Sequence, residues 1–261
     1  MRSGTWMTGV SRPFSKGRRT MCAGSSMRSG GALAFSCSPR GEKGTTELVL
    51  RAFLEGYRDG GGVPTVINPY KMNIAPCRGC FRCWTKTPGK CVIEDDMKGI
   101  LELMQKADAV IFATPVYHFT MSEGMKRLIE RTMPLLEPRV SAGPDGRATH
   151  ARIGAHGQRA VLVATCGFPE PDVFDPLRTT FAQICKMMEW RLSGEVLRTM
   201  AGMLLSGDRR AQESSAGYLK MVSNAGRMFA AGKAIGSQYR SYLEQDILPI
   251  EEYFRLVNEW W

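Results

Sequence analysis

The sequence predicts a doubly wound α/β domain, a five-stranded parallel sheet with helices on both faces. Three observations carry this expectation. Short apolar runs at 33–35, 63–67, 109–113, 160–164 and 196–197 alternate with stretches of helical periodicity. The run 109–113, Ala-Val-Ile-Phe-Ala, is apolar throughout, as in a central parallel strand covered on both faces. Three strands open at their carboxyl ends into irregular segments, 38–46, 114–119 and 165–169, where such sheets bind their ligands.

Length and charge narrow the class. A chain of 261 residues suits one large α/β domain better than two small ones. No apolar run approaches the length of a membrane span, so no membrane partner is expected. Of the formal charge of +10, six units come from Arg2, Arg12, Lys16, Arg18, Arg19 and Arg28, in a leader without acids. The remaining +4 is too little to single out a nucleic-acid partner. Residues 1–32 read either as an Arg- and Ser-rich organellar transit leader or as a start placed too far upstream, with Met21 or Met27 the true beginning. The second reading is preferred, because a strand follows directly after Met27. On either reading the leader is disordered. The folded domain then covers 33–261, with a cysteine-rich loop at 74–93 and a helical tail at 239–261. The expected location is cytoplasmic, unless the leader directs import.

The first strand, 33–35, runs into Ser38-Pro39-Arg40-Gly41-Glu42-Lys43-Gly44-Thr45-Thr46. Leu50, Phe53, Leu54 and Tyr57 then mark an amphipathic helix. A loop of hydroxyls, glycines and an arginine before a helix N-terminus offers amides and dipole to a phosphate; the alternative is an ordinary N-cap at Thr45 or Thr46. The order is neither G-x4-G-K-[ST] nor G-x-G-x-x-G. The second strand, 63–67, contains Pro64 and is assigned toward an edge. Asp95 and Asp96 read as structural caps for a helix carrying Met97, Ile100, Leu101 and Met104. After the third strand, Met121, Met125, Leu128 and Ile129 share a face. Residues 138–158, with His150 and His156, read as an exposed mobile loop with no metal role. Cys185 falls on the core stripe of the next helix. A short fifth strand at 196–197 precedes a long helix at 215–234. The tail face of Ile250, Tyr253, Phe254 and Val257, followed by Trp260 and Trp261, must dock on the chain's own sheet or on a second copy, so a homo-oligomer is expected.

Cys77, Cys80, Cys83 and Cys91 form a C-x2-C-x2-C-x7-C run. Such spacing turns soft thiolates toward one point, and Thr87-Pro88-Gly89 can fold the fourth back onto the first three. A single [4Fe-4S] cluster is the sharp reading. Zinc sites more often pair two separated hooks, and no second hook is present. Free thiols in a structured loop are the plain alternative.

Several of these segments together resemble the iron–sulfur flavoproteins of flavodoxin-like fold and their relatives, the NADPH-dependent FMN reductases. The resemblance covers roughly 33–261. It rests on Ser38-Pro39-Arg40 with Gly44-Thr45-Thr46, on the cysteine run ending Cys91-Val92-Ile93-Glu94-Asp95-Asp96-Met97, and on Thr114-Pro115-Val116-Tyr117 followed by Gly124-Met125-Lys126-Arg127-Leu128-Ile129-Glu130-Arg131. It implies noncovalent FMN, with Ser38, Arg40, Thr45 and Thr46 at the phosphate. Pro115, Val116, Tyr117 and His118 would flank the ring, and Thr165, Cys166 and Gly167 would form the other wall. Cys37 stands where the family commonly has glycine, and Thr45 where asparagine is usual; a cysteine would be strained if that position needed a positive φ. The implied function is FMN-dependent electron transfer from NAD(P)H or a ferredoxin-like donor, through a cluster at the four cysteines. A cluster-free NAD(P)H-dependent flavin or quinone reductase is the alternative, and a zinc-bearing interaction or nucleic-acid module a remote one. No side chain is assigned as catalytic acid or nucleophile, because the chemistry belongs to the cofactor.

Overall fold

The computed structural model describes residues 31–236 and 245–259. The strands β1 (Gly31–Ser36), β2 (Val63–Ile67), β3 (Ala109–Pro115), β6 (Arg159–Thr165) and β7 (Arg191–Arg198) form one parallel sheet in the order β2-β1-β3-β6-β7. This is the predicted flavodoxin-like arrangement, and Pro64 does lie on an edge strand. The order reverses between β1 and β3, where sheets of this kind hold their ligands. Gly31 and Ala32, assigned to the leader, belong to β1; the rest of the expected leader, 1–30, lies outside the described residues. The fifth strand is longer than its two-residue apolar signal, because the edge strand β7 pairs with β6 along its whole length.

Alternation along the strands divides the core in two. Leu33, Phe35, Val110, Phe112 and Leu162 face helices α3 (Met97–Lys106) and α5 (Asp175–Met187). Phe35 stacks on Phe112 at 4.8 Å between centroids, with Trp190 and Phe181 around it. On the other face, Ala32, Ala34, Ile111, Ala113 and Val163 meet α1 (Thr45–Asp59) and α6 (Arg209–Ala230). These two helices cross so closely that a Cβ on Gly56 would stand 1.7 Å from the Ser223 carbonyl oxygen. One on Gly226 would stand 1.9 Å from that of Phe53. Cys185 is core, as expected, and burial pushes its thiol up to about 12.

Several elements depart from expectation. The segment 138–158 is not a loop: β4 (Leu136–Ala142) and β5 (Ala148–Arg152) make an antiparallel hairpin that follows α4 (Glu123–Glu130). His150 at its base stacks on Trp84 at 4.8 Å, joining hairpin to cysteine lobe. α6 begins at Arg209, six residues earlier than its apolar periodicity suggests, because Asp208 accepts from the Ala211 amide at 3.0 Å and caps it. The tail helix α7 (Ile250–Asn258) docks on its own sheet end through Tyr253, while Ile250 and Phe254 stay exposed. Trp260 and Trp261 lie outside the described residues.

Candidate functional site

The loops after β1, β3 and β6 meet at one rim, and hydrogen bonds tie them together. Ser122 Oγ donates to the Cys37 carbonyl at 2.6 Å, and the Ser122 amide donates to Thr114 Oγ1 at 2.9 Å. The hydroxyls of Thr46 and Thr165 lie 2.7 Å apart, both buried. The Val116 amide donates to the Thr165 carbonyl at 2.8 Å. The predicted phosphate and ring segments therefore form a single surface.

At the phosphate end the cap of α1 is Gly44, not Thr45 or Thr46. The first α1 amide with a helical acceptor is Leu48, bonded to Gly44 O at 3.2 Å, so the amides of Thr45, Thr46 and Glu47 point out of the helix end. Gly41 turns the loop with φ +52°. A Cβ on Gly44 would come 2.6 Å from Ser38 Oγ and fill the nest. Arg40 is exposed beside it. Glu47, the acid of the first turn, is turned to Ser36 and Arg51. Thr46, also expected at the phosphate, has its buried hydroxyl in contact with Thr165. Cys37 is wholly buried at negative φ, so the expected strain does not arise, and burial pushes its thiol up.

At the ring end, Tyr117 and Thr120 exchange backbone hydrogen bonds of 3.0 and 3.1 Å across His118 and Phe119, which have φ of 47° and 64°. Two non-glycine residues in the left-handed region cost roughly 1–2 kcal/mol each, and strain of this kind clusters where function requires it. The turn lifts Tyr117 (44% exposed) and Phe119 (53%) from the surface. Pro115 is buried and paired in register with Thr165. Opposite, the position above Gly167 is open, with Phe168 exposed beside it. Cys166 is buried, and desolvation raises its thiol although the Phe168 and Gly167 amides pull it down. Sequence reasoning missed Tyr253: its hydroxyl donates to the Gly167 carbonyl and pins the third loop from α7.

The four cysteines line one pocket with Phe81, Ile93, Met133, Pro134 and Arg131. Phe81, at φ 51°, starts the short helix α2 (Arg82–Thr85) that lifts Cys83. The Gly79 amide donates to Cys77 Sγ at 3.5 Å. The thiol of Cys83 is raised first by burial, then by the like charges of Cys91, Cys80 and Cys77. Among the described residues no three His, Cys, Asp or Glu side chains converge on one metal ion. Behind the pocket Arg131 and Asp95, 1% and 2% exposed, pair at 2.7 and 2.9 Å. Asp95 also accepts from the amides of Ala75 (2.9 Å) and Met97 (3.1 Å), so it anchors the cysteine segment as well as the start of α3. Asp96 accepts from the Asn73 amide at 2.8 Å. The pocket takes its walls from the far end of α4, whereas the rim precedes that helix. Eight residues of helix, about 12 Å, separate the two.

A parallel sheet that reverses its order between β1 and β3, with three loops meeting in one open rim at the switch, defines a flavodoxin-like α/β fold. Residues 32–167, just over half of the chain, match the family described as NADPH-dependent FMN reductase, and the chain belongs to that family. Among curated relatives, an iron–sulfur flavoprotein of Methanocaldococcus jannaschii is 38% identical over 103 residues, 40% of this chain and 52% of that protein. One from Methanosarcina thermophila is 36% identical over 102 residues, 39% and 51% of the two chains. The matched stretch thus spans about half the length of these relatives. Among solved structures, an FMN-dependent NADH-azoreductase from Bacillus anthracis in complex with FMN superposes with TM-score 0.58 at 14% identity, over 77% of this chain and 99% of that one. An NAD(P)H:quinone oxidoreductase from Methanothermobacter marburgensis gives 0.55 at 18%, over 76% and 96%. At these identities the likeness establishes the fold.

Proposed function

We propose that this chain binds FMN at the rim and works as an oxidoreductase fed by NAD(P)H or a ferredoxin-like protein, with a [4Fe-4S] cluster on Cys77, Cys80, Cys83 and Cys91. The observation that supports the cluster is that all four cysteines line one apolar pocket bordered by a buried guanidinium. The names of the curated relatives, iron–sulfur flavoproteins, support it.

FMN, when bound, supplies the exchange between two-electron and one-electron chemistry. The chain's contribution is grip and environment. Arg40, Ser38, Thr45 and the amides at the start of α1 hold the phosphate. Val116, Tyr117 and His118 offer main chain and side chain to one flank of the ring. Gly167 leaves room for close approach on the other, and Thr165 and Cys166 set the floor. Thr46 acts from beneath, through Thr165. Tyr117, Phe119 and Phe168 exclude water from the ring face and offer an apolar surface to a second copy, which makes a homo-oligomer part of this reading. Among the described residues no helix is long and apolar enough to cross a membrane; we assign the protein to the cytoplasm.

An absorption spectrum taken under argon, with FMN, iron and acid-labile sulfide counted per chain, tests both cofactors. One FMN and about four irons and four sulfides fit the reading. FMN without iron leaves a cluster-free flavin or quinone reductase, and protein that stays colourless after reconstitution removes both.

A further inference from the structure

Arg131 carries more hydrogen-bond donors than its pairing uses. Its Nη1 and Nη2 hold both oxygens of Asp95, and Nη1 also reaches the Ala75 carbonyl at 2.6 Å. Two N–H groups are left over, one on Nη2 and one on Nε, and Nε is buried without a geometric partner. A buried donor left unmade costs about 1–3 kcal/mol, so an unpaired Nε in a wall of the sulfur pocket points to a group that would accept from it. The neighbouring acceptor is Cys91. Burial works against the Arg131 charge, but hydrogen bonding to Asp95 and Cys91 and the charges of both outweigh it and raise its pKa.

The pair is neutral overall, yet its orientation is not. Arg131 lines the pocket and Asp95 does not. The carboxylate is turned away, its charge taken up by the Ala75 and Met97 amides. The pocket therefore meets the positive end of a fixed dipole. Hydrogen bonds to the sulfurs and local net charge are the terms by which a protein sets the potential of an iron–sulfur group.

We propose that Arg131 is the positioning residue of the sulfur pocket: it donates Nε–H to the Cys91 sulfur and raises the reduction potential of the iron–sulfur group held there. This rests on the cluster reading above. On reduction the cluster gains one electron from the donor, no bond to a ligand sulfur breaks, and its charge becomes one unit more negative. The guanidinium stabilises that reduced form more than the oxidised one. Asp95 holds the guanidinium in place and offsets part of its field.

The test is an anaerobic redox titration of the purified holoprotein, poised with dithionite and mediators, with the cluster followed by electron paramagnetic resonance. Iron and sulfide are counted first on the wild type; their absence refutes the cluster reading itself and with it this proposal. With the cluster present, Arg131→Gln is expected to lower the midpoint and Asp95→Asn to raise it. Arg131→Lys, which keeps charge but loses the Nε donor, is expected to fall between Arg131→Gln and wild type. Should Arg131→Gln fail to fold, Arg131→Gln/Asp95→Asn, which leaves no unpaired charge, carries the same prediction of a lowered midpoint. Unchanged midpoints at wild-type iron content, or shifts of one sign in Arg131→Gln and Asp95→Asn, overturn the proposal, because a purely structural brace has no reason to move the potential in opposite directions.

Discussion

The bond between Thr46 and Thr165 gives the sharpest test of how the rim is built. Its oxygens are 2.7 Å apart, and neither residue is more than 3% exposed. Valine has nearly the shape of threonine, so Thr46→Val removes one hydroxyl without opening a cavity. The surviving Thr165 hydroxyl is then buried and unpaired, at a cost of about 1–3 kcal/mol, and Thr165→Val does the same to Thr46. In Thr46→Val/Thr165→Val both hydroxyls are gone and two methyl groups meet, so the loss should be about 1 kcal/mol or less. The coupling, the two single costs less that of the double, should therefore equal or exceed the cost of one single variant, well above the ~0.5 kcal/mol scatter of independent sites. Urea unfolding of the FMN-free protein measures stability, and fluorescence quenching measures FMN affinity. If Thr46 acts on the rim only through its contact with Thr165, affinity should weaken in the single variants and return in the double. Single variants within ~0.5 kcal/mol of wild type, or additive costs, would refute the packing argument. Affinity that stays lost in the double would show that the Thr46 hydroxyl holds phosphate directly.

Three further expectations follow from other contacts. Gly226→Ala places a Cβ 1.9 Å from the Phe53 carbonyl oxygen, where only backbone can yield; alanine's ~1 kcal/mol helical advantage should be overwhelmed, with a net loss of about 1–3 kcal/mol in the urea midpoint at unchanged slope. Tyr253→Phe removes the bond to the Gly167 carbonyl, worth about 1 kcal/mol, and should loosen hydrogen exchange across 166–168 and weaken FMN binding ~5-fold; unchanged exchange there would mean that α7 does not brace the loop. Burial works against ionisation of Asp95, but hydrogen bonds from Arg131, Ala75 and Met97 outweigh it and hold the carboxyl below its usual range. Its contribution to stability is then complete above its unfolded pKa of about 3.9 and is lost as pH falls through the lower folded value. In Asp95→Asn the acid limb of stability should flatten, with about 3 kcal/mol lost at pH 7 where Arg131 is left unpaired; parallel pH profiles for the two proteins would contradict this.

Much of the rim was legible before any coordinates. Apolar runs marked the strands, because a strand buried on both faces can hold little else, and the segments at their ends carried the hydroxyls, Arg40, Tyr117 and Gly167. The cysteine run was legible as a unit, and its four residues line one pocket whose far wall comes from residues 130–134. The hairpin was missed because Gly143, Pro144 and Gly146 imitate a mobile loop, while its two strands, apart from Leu136 and Arg152, show little burial to betray them. Asp208 before α6 was an available capping signal, masked by the weak apolar pattern of the first turns.

Local sequence thus determined element types, sheet class and the chemical character of each loop, because strand alternation, helix periodicity and thiol spacing act over a few residues. Which groups meet across the chain was decided only by tertiary packing: Thr46 with Thr165, Tyr253 with Gly167, Arg131 with Asp95. These partners are 119, 86 and 36 residues apart. No local rule orients one polar group toward another at such separations; they pair because the assembled sheet brings them together, with Thr46, Thr165, Arg131 and Asp95 withdrawn from water.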